Sequence, residues 1–467
     1  MADGAAEPFL ENRTFDELVV GDTASLSHLV AQRDIDLFAA ATGDVNPAHV
    51  DPAYAATDMF HHIIIHGMWG AGLISAVLGT RLPGPGTVYL GQNLRFVRPV
   101  SIGDTMTATL TVKEKKPAKG DVTLDCVCTN QRGEPVITGQ AFVRAPTEKI
   151  RLPRIALPCV RVGRHDRMAA LIAQASGGAP LATAVVYPVD AASLQGTADA
   201  ARARLIVPTL IGPIATIQAA AKAAGVDITG FGLIEAVDPR AAAAEAVLQI
   251  RSGAFVLLMK GDLHTDVFMH AVMDSETGLR TMRRISHVYL MDTPDYPRPL
   301  LVTDVAINVR PGLAEKAGIA QNAIDLAHVI GIPEPRVAIL AAVETVSDRL
   351  PSTVDAAALC KMAERGQITG GVLDGPLGLD NAISEAAAAE KGIVSLVAGR
   401  ADILLVPDLE AGNMLAKQMT LMAGADAAGV VLGARVPIIL TSRADSVAAR
   451  LASCALAALV ARAKPPT

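Results

Sequence analysis

Two side chains that can transfer protons, Asp44 and His49, lie five residues apart near the start of the chain. Pro47 stands between them and disfavours helical geometry at Asn46, so the chain is expected to turn here. Side chains five apart on a helix point to diverging faces, whereas a turn can direct both at one water molecule. The segment 41–51 therefore predicts an acid–base pair.

A second feature follows at His66 and Gly67, where a long apolar segment begins. We expect a buried helix from this point. The first backbone N–H groups of a helix have no partner within it and attract negative charge, so this terminus suits an oxyanion. Hydration of an enoyl thioester needs these parts together: a base for water, an acid for the α-carbon, and fixed donors for the enolate oxygen.

The elements that must position these residues fall into two groups. Before residue 144 we predict a short helix, the turn-rich segment, one long apolar helix and then an antiparallel sheet, with strands at 87–96, 105–114, 122–130 and 134–144. A proline-containing linker is predicted at 145–158. Beyond it, short apolar strands alternate with helices, at 183–187, 204–210, 254–259, 336–341, 403–406 and 436–440. That alternation predicts parallel βα units.

The spacing D-x-N-P-x-H at 44–49, followed by I-x-H-G-M at 64–68, resembles the MaoC-like (R)-specific enoyl-CoA hydratases. The resemblance covers about residues 14–144 and implies an α+β hot-dog fold. It also implies that Asp44 and His49 are the catalytic pair, that Gly67 donates to the oxyanion, and that Asn46 positions the loop at the substrate. One departure is Trp69, where leucine is expected.

Other polar residues around this motif have less specific interpretations. His61 and His62 match no chemical role and are expected to be structural. Asp51 either orients His49 or ends the turn, and both interpretations stay open.

The second half resembles the phosphate acetyltransferase and phosphate butyryltransferase family. The resemblance rests on several sequence segments, which include residues 260–265, 285–288, 303–308, 344–354, 374–380, 407–413 and 440–446. The resemblance implies an α/β domain of two subdomains around a cleft, which reversibly transfers an acyl group between CoA and inorganic phosphate. Ser442 and Arg443 match the family's serine–arginine pair and would hold the phosphate and the developing oxyanion.

One part of this second site departs from the family. Acetyl-type relatives carry a carboxylate seven residues after the serine, where this chain has Ala449, whereas Asp445 stands three residues after it. Asp445 is therefore a candidate substrate contact whose role stays open. Thr265, Arg283 and Arg284, with Arg280, are candidate phosphate or CoA contacts, and the alternative is that they are solvated helix charges.

Composition excludes several classes of function. The chain has 467 residues, a formal net charge of −6 and no basic stripe with interleaved aromatics, so we expect no nucleic-acid partner. Its five scattered cysteines indicate neither a disulfide framework nor a zinc site. With no secretory signal or membrane segment, a cytoplasmic location is expected. No metal or other cofactor is expected beyond CoA thioesters and phosphate as substrates.

Together these patterns predict a bifunctional fusion, with a hydratase domain at 1–148 and a phosphotransacylase domain at 149–467. Because hot-dog domains pair to complete a sheet and a site, a homo-oligomer is expected. Two alternatives stay open. The second half would be a non-catalytic module that binds acyl-CoA and builds the oligomer, or the first domain would be a thioesterase, an activity that hot-dog folds also host.

Overall fold

The computed structural model describes residues 9–155, 160, 166–294, 296–440 and 445–463. The chain divides into two compact units, residues 1–162 and 163–467. Within the described ranges, no helix has the length and apolar character needed to cross a bilayer.

The first unit is an antiparallel sheet with one long helix packed on it. Its elements are β1 (Phe9–Glu11), β2 (Thr23–Leu29), α1 (Gln32–Thr42), α2 (Pro47–Val50), α3 (Pro52–Ala55), α4 (Gly67–Thr80), β3 (Val88–Phe96), β4 (Thr105–Lys116), β5 (Asp121–Thr129), β6 (Pro135–Arg144) and β7 (Arg151–Pro153). Five strands form the main sheet in the order β2-β4-β5-β6-β3. The predicted central helix wrapped by a sheet is confirmed.

Helix α4 approaches the sheet closely because it carries glycine at Gly70. A Cβ atom at this position would lie 2.5 Å from Cδ1 of Ile137 on β6 and 3.3 Å from the sulfur of Met106 on β4. The helix buries its apolar face, including Ile74 and Val77, in the core of this unit. The amino end of α4 is thereby fixed relative to the sheet.

Two of our expectations for the first unit were wrong. Strand β2 precedes the helices, so the strands do not all come last in the sequence. Its alternating residues are mostly small or polar, because β2 is an edge strand with little buried surface, and the strand pattern is correspondingly weak. Strand β7 lies inside the segment predicted as linker and pairs with β1.

The second unit contains one continuous sheet covered by helices. Its elements are α5 (Asp166–Ser176), β8 (Leu181–Val186), α6 (Ala191–Arg202), β9 (Ile206–Gly212), α7 (Ile214–Ala224), β10 (Gly232–Glu235), α8 (Pro239–Arg251), β11 (Leu257–Lys260), α9 (Thr265–Met273), β12 (Ser286–Asp292), β13 (Leu300–Thr303), α10 (Leu313–Val329), β14 (Arg336–Leu340), α11 (Pro351–Glu364), β15 (Val372–Leu377), α12 (Leu379–Ile383), α13 (Glu385–Glu390), β16 (Ile403–Leu405), α14 (Leu409–Met422), β17 (Asp426–Leu432), β18 (Ile438–Ile439) and α15 (Val447–Ala463).

The strand order of this sheet is β10-β9-β8-β11-β18-β17-β12-β13-β16-β14-β15. The strands from β10 to β18 are parallel, as are those from β13 to β15. Between these halves, β17 and β12 run antiparallel to each other and to their outer neighbours. The predicted parallel βα units are therefore found in both halves of the sheet. The antiparallel strands β12 and β17 at its centre were not predicted, and the residues of β12 are buried on both faces.

Candidate active sites

The loop that carries Asp44 begins where helix α1 ends. Gly43 caps the helix in the left-handed region, with φ of 75°, and its N–H donates to the carbonyl of Ala39. The exposed carboxylate of Asp44 follows directly, and its Oδ1 accepts the backbone N–H of Asn46 at 3.3 Å. Asn46 in turn caps α2 by accepting the N–H of Ala48 at 3.2 Å. The side chain of Asn46 thus stabilises the turn, and its role at the substrate stays a prediction.

His49 lies half-buried on α2, and one of its ring nitrogens is already engaged. Nδ1 lies 2.8 Å from the carbonyl oxygen of Ile64. Because a carbonyl oxygen only accepts, Nδ1 is the donor, so in the neutral ring the lone pair lies on Nε2. The segment that carries Ile64 is held by backbone hydrogen bonds to Ala48 and Val100. The orientation of the His49 ring is therefore set by backbone groups.

His66 joins this pair, although we assigned it no role from the sequence. Its ring is 4.1 Å from that of His49 between centroids, and its Nε2 lies 2.9 Å from the backbone oxygen of Asp44. His66 also directly precedes Gly67, the first residue of α4, which is exposed. The structure thus brings Asp44, His49 and the amino end of α4 together. The signal for His66 in the sequence is its place in the I-x-H-G-M motif.

Ligand atoms of Asp44, His49 and His66 all lie within 4.8 Å of one another, and they are the one such set of three in the described ranges. Two imidazoles and a carboxylate are a donor set that Zn²⁺ accepts. However, the two rings are tilted by 37° with their centroids only 4.1 Å apart, whereas ligands of one ion direct their in-plane lone pairs at a single point. The arrangement fits proton transfer better, and the absence of a metal stays a prediction.

Nearby residues have structural contacts. Asp51 caps α3 by accepting the N–H groups of Ala53 and Tyr54, so its carboxylate ends the turn while Ile64 orients His49. His62 lies 2.8 Å from the hydroxyl of Ser101. The half-buried Trp69 contacts His28 edge-on at 5.0 Å between ring centroids.

In the second unit, two candidate contacts follow neighbouring parallel strands. Strand β11 pairs in parallel with β18, so both strands end at the same edge of the sheet. Thr265 is the first residue of α9, shortly after β11, and Asp445 follows β18. The carboxyl ends of parallel strands commonly hold ligands. Ser442 and Arg443 lie outside the described residues.

Asp445 is half-buried, and its negative charge interacts electrostatically with Tyr289 on the central strand β12. Burial raises the pKa of Tyr289 to about 12, and the negative charge of Asp445 contributes to the same shift. Ala449 lies in the first turn of α15, where it offers no carboxylate.

The arginines of the predicted set line one cavity of about 560 Å³, to which Thr265 does not contribute. Arg283 pairs with Asp325. Arg284 pairs with Glu315 at 2.8 Å and donates to Oδ1 of Asn308 at 2.6 Å. These partners show that both guanidinium groups serve the protein's own ion pairs. Their role toward CoA or phosphate stays a prediction.

Comparison with known proteins gives separate matches in the two units. A family model described as "MaoC like domain" matches residues 19–129, and one described as "Phosphate acetyl/butaryl transferase" matches residues 238–458. The chain is 59% identical to the phosphate acetyltransferase of Rhizobium meliloti over 298 residues, which are 64% of this chain and 93% of that protein.

Two solved structures are similar to separate parts of the chain. The branched-chain phosphotransacylase from Enterococcus faecalis V583 is 28% identical with a TM-score of 0.53, covering 60% of this chain and 99% of that one. The R-hydratase PhaJ1 from Pseudomonas aeruginosa is 46% identical with a TM-score of 0.32, covering 33% of this chain and 99% of that one. The two family models and the phosphotransacylase structure confirm the fold class: a MaoC-like hot-dog domain precedes a phosphotransacylase fold. The chain belongs to the phosphate acetyl/butyryl transferase family and carries a MaoC-like domain in front of the transferase.

Proposed function

We propose that the first unit hydrates 2-enoyl-CoA to (R)-3-hydroxyacyl-CoA, and that the second transfers acyl groups reversibly between CoA and inorganic phosphate. The observation that carries the first activity is the convergence of Asp44 and His49, whose ligand atoms lie within 4.8 Å, beside the helix that begins at Gly67. The match to a MaoC-like domain supports the choice of a CoA thioester as substrate.

The chemistry of hydration needs two proton transfers. The oxygen of water bonds to the β-carbon while the Asp44–His49 pair removes one of its protons, and the pair delivers a proton to the α-carbon. The Ile64 carbonyl, by holding Nδ1–H of His49, leaves Nε2 to accept a proton. Between these transfers the thioester oxygen carries negative charge, which the free N–H groups at the start of α4 stabilise.

The test of hydration uses crotonyl-CoA. The wild-type chain is expected to consume the enone absorbance while the thioester absorbance persists, which separates hydration from thioester hydrolysis. Asp44→Asn and His49→Ala should each lower the rate by on the order of 10² or more. Asp51→Asn is the matched control, because asparagine also caps a helix. Unchanged turnover in both site variants would refute the assignment, and an (S)-3-hydroxyacyl-CoA product would refute the stereochemistry.

The transferase activity is supported by the 59% identity to a phosphate acetyltransferase across 93% of its length, which favours catalysis over a purely structural module. We expect acetyl-CoA or butyryl-CoA to release free thiol only when phosphate is present. Arg443→Ala should abolish this release, whereas Arg365→Ala, at an exposed arginine that caps α11, should not. Thiol release that ignores phosphate would contradict the proposal.

An oligomer of identical chains is also part of the proposal. Strand β3 is an edge of the first sheet and exposes large apolar side chains, with Val88 at 54%, Leu90 at 49% and Phe96 at 49% exposure. An open apolar edge of this kind pairs readily with a second copy. The native mass in solution tests this, and a monomer would refute it. We place both reactions in the cytoplasm, because the described cysteines are free thiols, as is usual in a reducing compartment. The absence of a metal or other cofactor is a separate part of the proposal.

A further inference from the structure

We propose that His66 is a positioning residue that holds Asp44 and His49 in their reactive arrangement, an inference that rests on the proposed hydratase function. His66 is only 2% exposed. Its ring contacts the ring of Phe38, at 4.8 Å between centroids, and that of His49, at 4.1 Å. It therefore contacts one of the two reacting side chains directly and hydrogen-bonds the backbone of the other.

The protonation pattern of His66 follows from its partners. Nε2 faces the backbone oxygen of Asp44 at 2.9 Å and must donate to it. Nδ1 is buried and has no hydrogen-bond partner among the described residues. A proton on Nδ1 would have no acceptor, whereas the tautomer protonated on Nε2 satisfies the one contact that exists. His66 thus donates one hydrogen bond, through Nε2–H.

That single hydrogen bond connects the two halves of the site. His66 directly precedes Gly67, where the N–H groups for the oxyanion begin. Its Nε2–H donates to the backbone oxygen of Asp44, 22 residues earlier. A displacement of about 1 Å between reacting groups can cost about 10² in rate. An apolar ring would fill the same space, but it would leave the carbonyl of Asp44 without its donor.

Three variants test this role against simple packing. His66→Phe keeps an aromatic ring in contact with Phe38 and His49 and should lower kcat for crotonyl-CoA by about 10- to 100-fold, with KM changed by less than about threefold. His66→Gln places an amide N–H near the position of Nε2 and should recover most of the loss. The control is His62→Gln, at an exposed histidine four residues away on the same segment. Wild-type kcat in His66→Phe, or equal losses in the Phe and Gln variants, would overturn the proposal.

A spectroscopic readout separates this inference from the hydratase function. Long-range ¹H–¹⁵N correlation spectra of histidine-labelled protein should show the Nε2–H tautomer for His66 and the Nδ1–H tautomer for His49. His66→Phe should shift the His49 signals, and His62→Gln should not. A chain without hydratase activity would refute the proposed function while these spectra still decide the placement of His66. An Nδ1–H tautomer at His66 would overturn the inference even in an active enzyme.

Discussion

The stability of the second unit should fall in mild acid because of one buried histidine on β12. His287 is 1% exposed, and Nδ1 of its ring has no hydrogen-bond partner among the described residues. Burial lowers its pKa to about 3, whereas an unfolded histidine titrates near about 6.5. The unfolded chain therefore binds the proton first. The neutral ring's contribution is fully present above about pH 6.5 and is lost as the pH falls toward 3.

The expected loss of stability follows from the difference between the pH and the pKa of the unfolded histidine. At about pH 5, roughly 1.5 units below it, the loss is about 2 kcal/mol, since each unit corresponds to about 1.36 kcal/mol. His287→Phe keeps the ring contact that His287 makes with Tyr289, at 4.6 Å between centroids, and removes the titration. Between about pH 7.5 and pH 5 the wild-type chain should therefore lose about 2 kcal/mol more than the variant.

The assay is urea unfolding at both pH values, followed by circular dichroism. The contributions of other titrating groups to the acid loss cancel, because the wild type and His287→Phe both carry those groups. The single tryptophan, Trp69, lies in the first unit and provides an internal control, since its fluorescence midpoint should not differ between the two chains. Equal acid losses in the wild type and His287→Phe would refute the reasoning.

Three further predictions concern the first unit and the thiols. Gly67→Ala should lower hydration about tenfold, because its Cβ would lie 3.1 Å from the ring of Phe96, whereas Gly72→Ala on the same helix meets nothing within 4 Å and should keep full activity. A chelator should leave hydration unchanged, and lost activity restored by Zn²⁺ would contradict proton transfer without a metal. In a Cys159→Ser chain, a thiol reagent should label the native protein slowly at about pH 8, because thiolates are the reactive form and burial raises the remaining pKa values. These values are about 11 for Cys126 and Cys360 and about 12 for Cys128 and Cys454. Rapid labelling would contradict this.

The acid–base loop could be predicted because its signals are local. Pro47 forces the turn, Asn46 caps the next helix, and the apolar segment that starts after His66 can only bury its length as a helix. Each of these follows from residues within a few positions of one another. Prediction failed for β2 because its partner, β4, lies about 80 residues away, and short-range alternation carries little of that pairing.

The role of His66 could not be predicted for a similar reason. Its hydrogen bond to the backbone of Asp44 requires the amino end of α4 to lie beside the loop that carries Asp44. That placement depends on how α4 packs on the sheet. For the arginines of the second unit, the sequence suggested a role in binding but did not reveal their partners within the protein. Arg283 and Arg284 match a family phrase, but the sequence does not reveal that Asp325 and Glu315 on α10 pair with them.

The central position of β17 and β18 has a consequence for synthesis of the chain. These are the last strands along the part of the chain that the structure describes, yet they lie between β11 and β12 in the sheet. Until residue 439 has left the ribosome, the two halves of the sheet present open edges that neighbouring chains can pair with. The second unit can therefore complete its sheet only after β18 has been synthesised. A chain truncated before β17 would keep both edges and should aggregate.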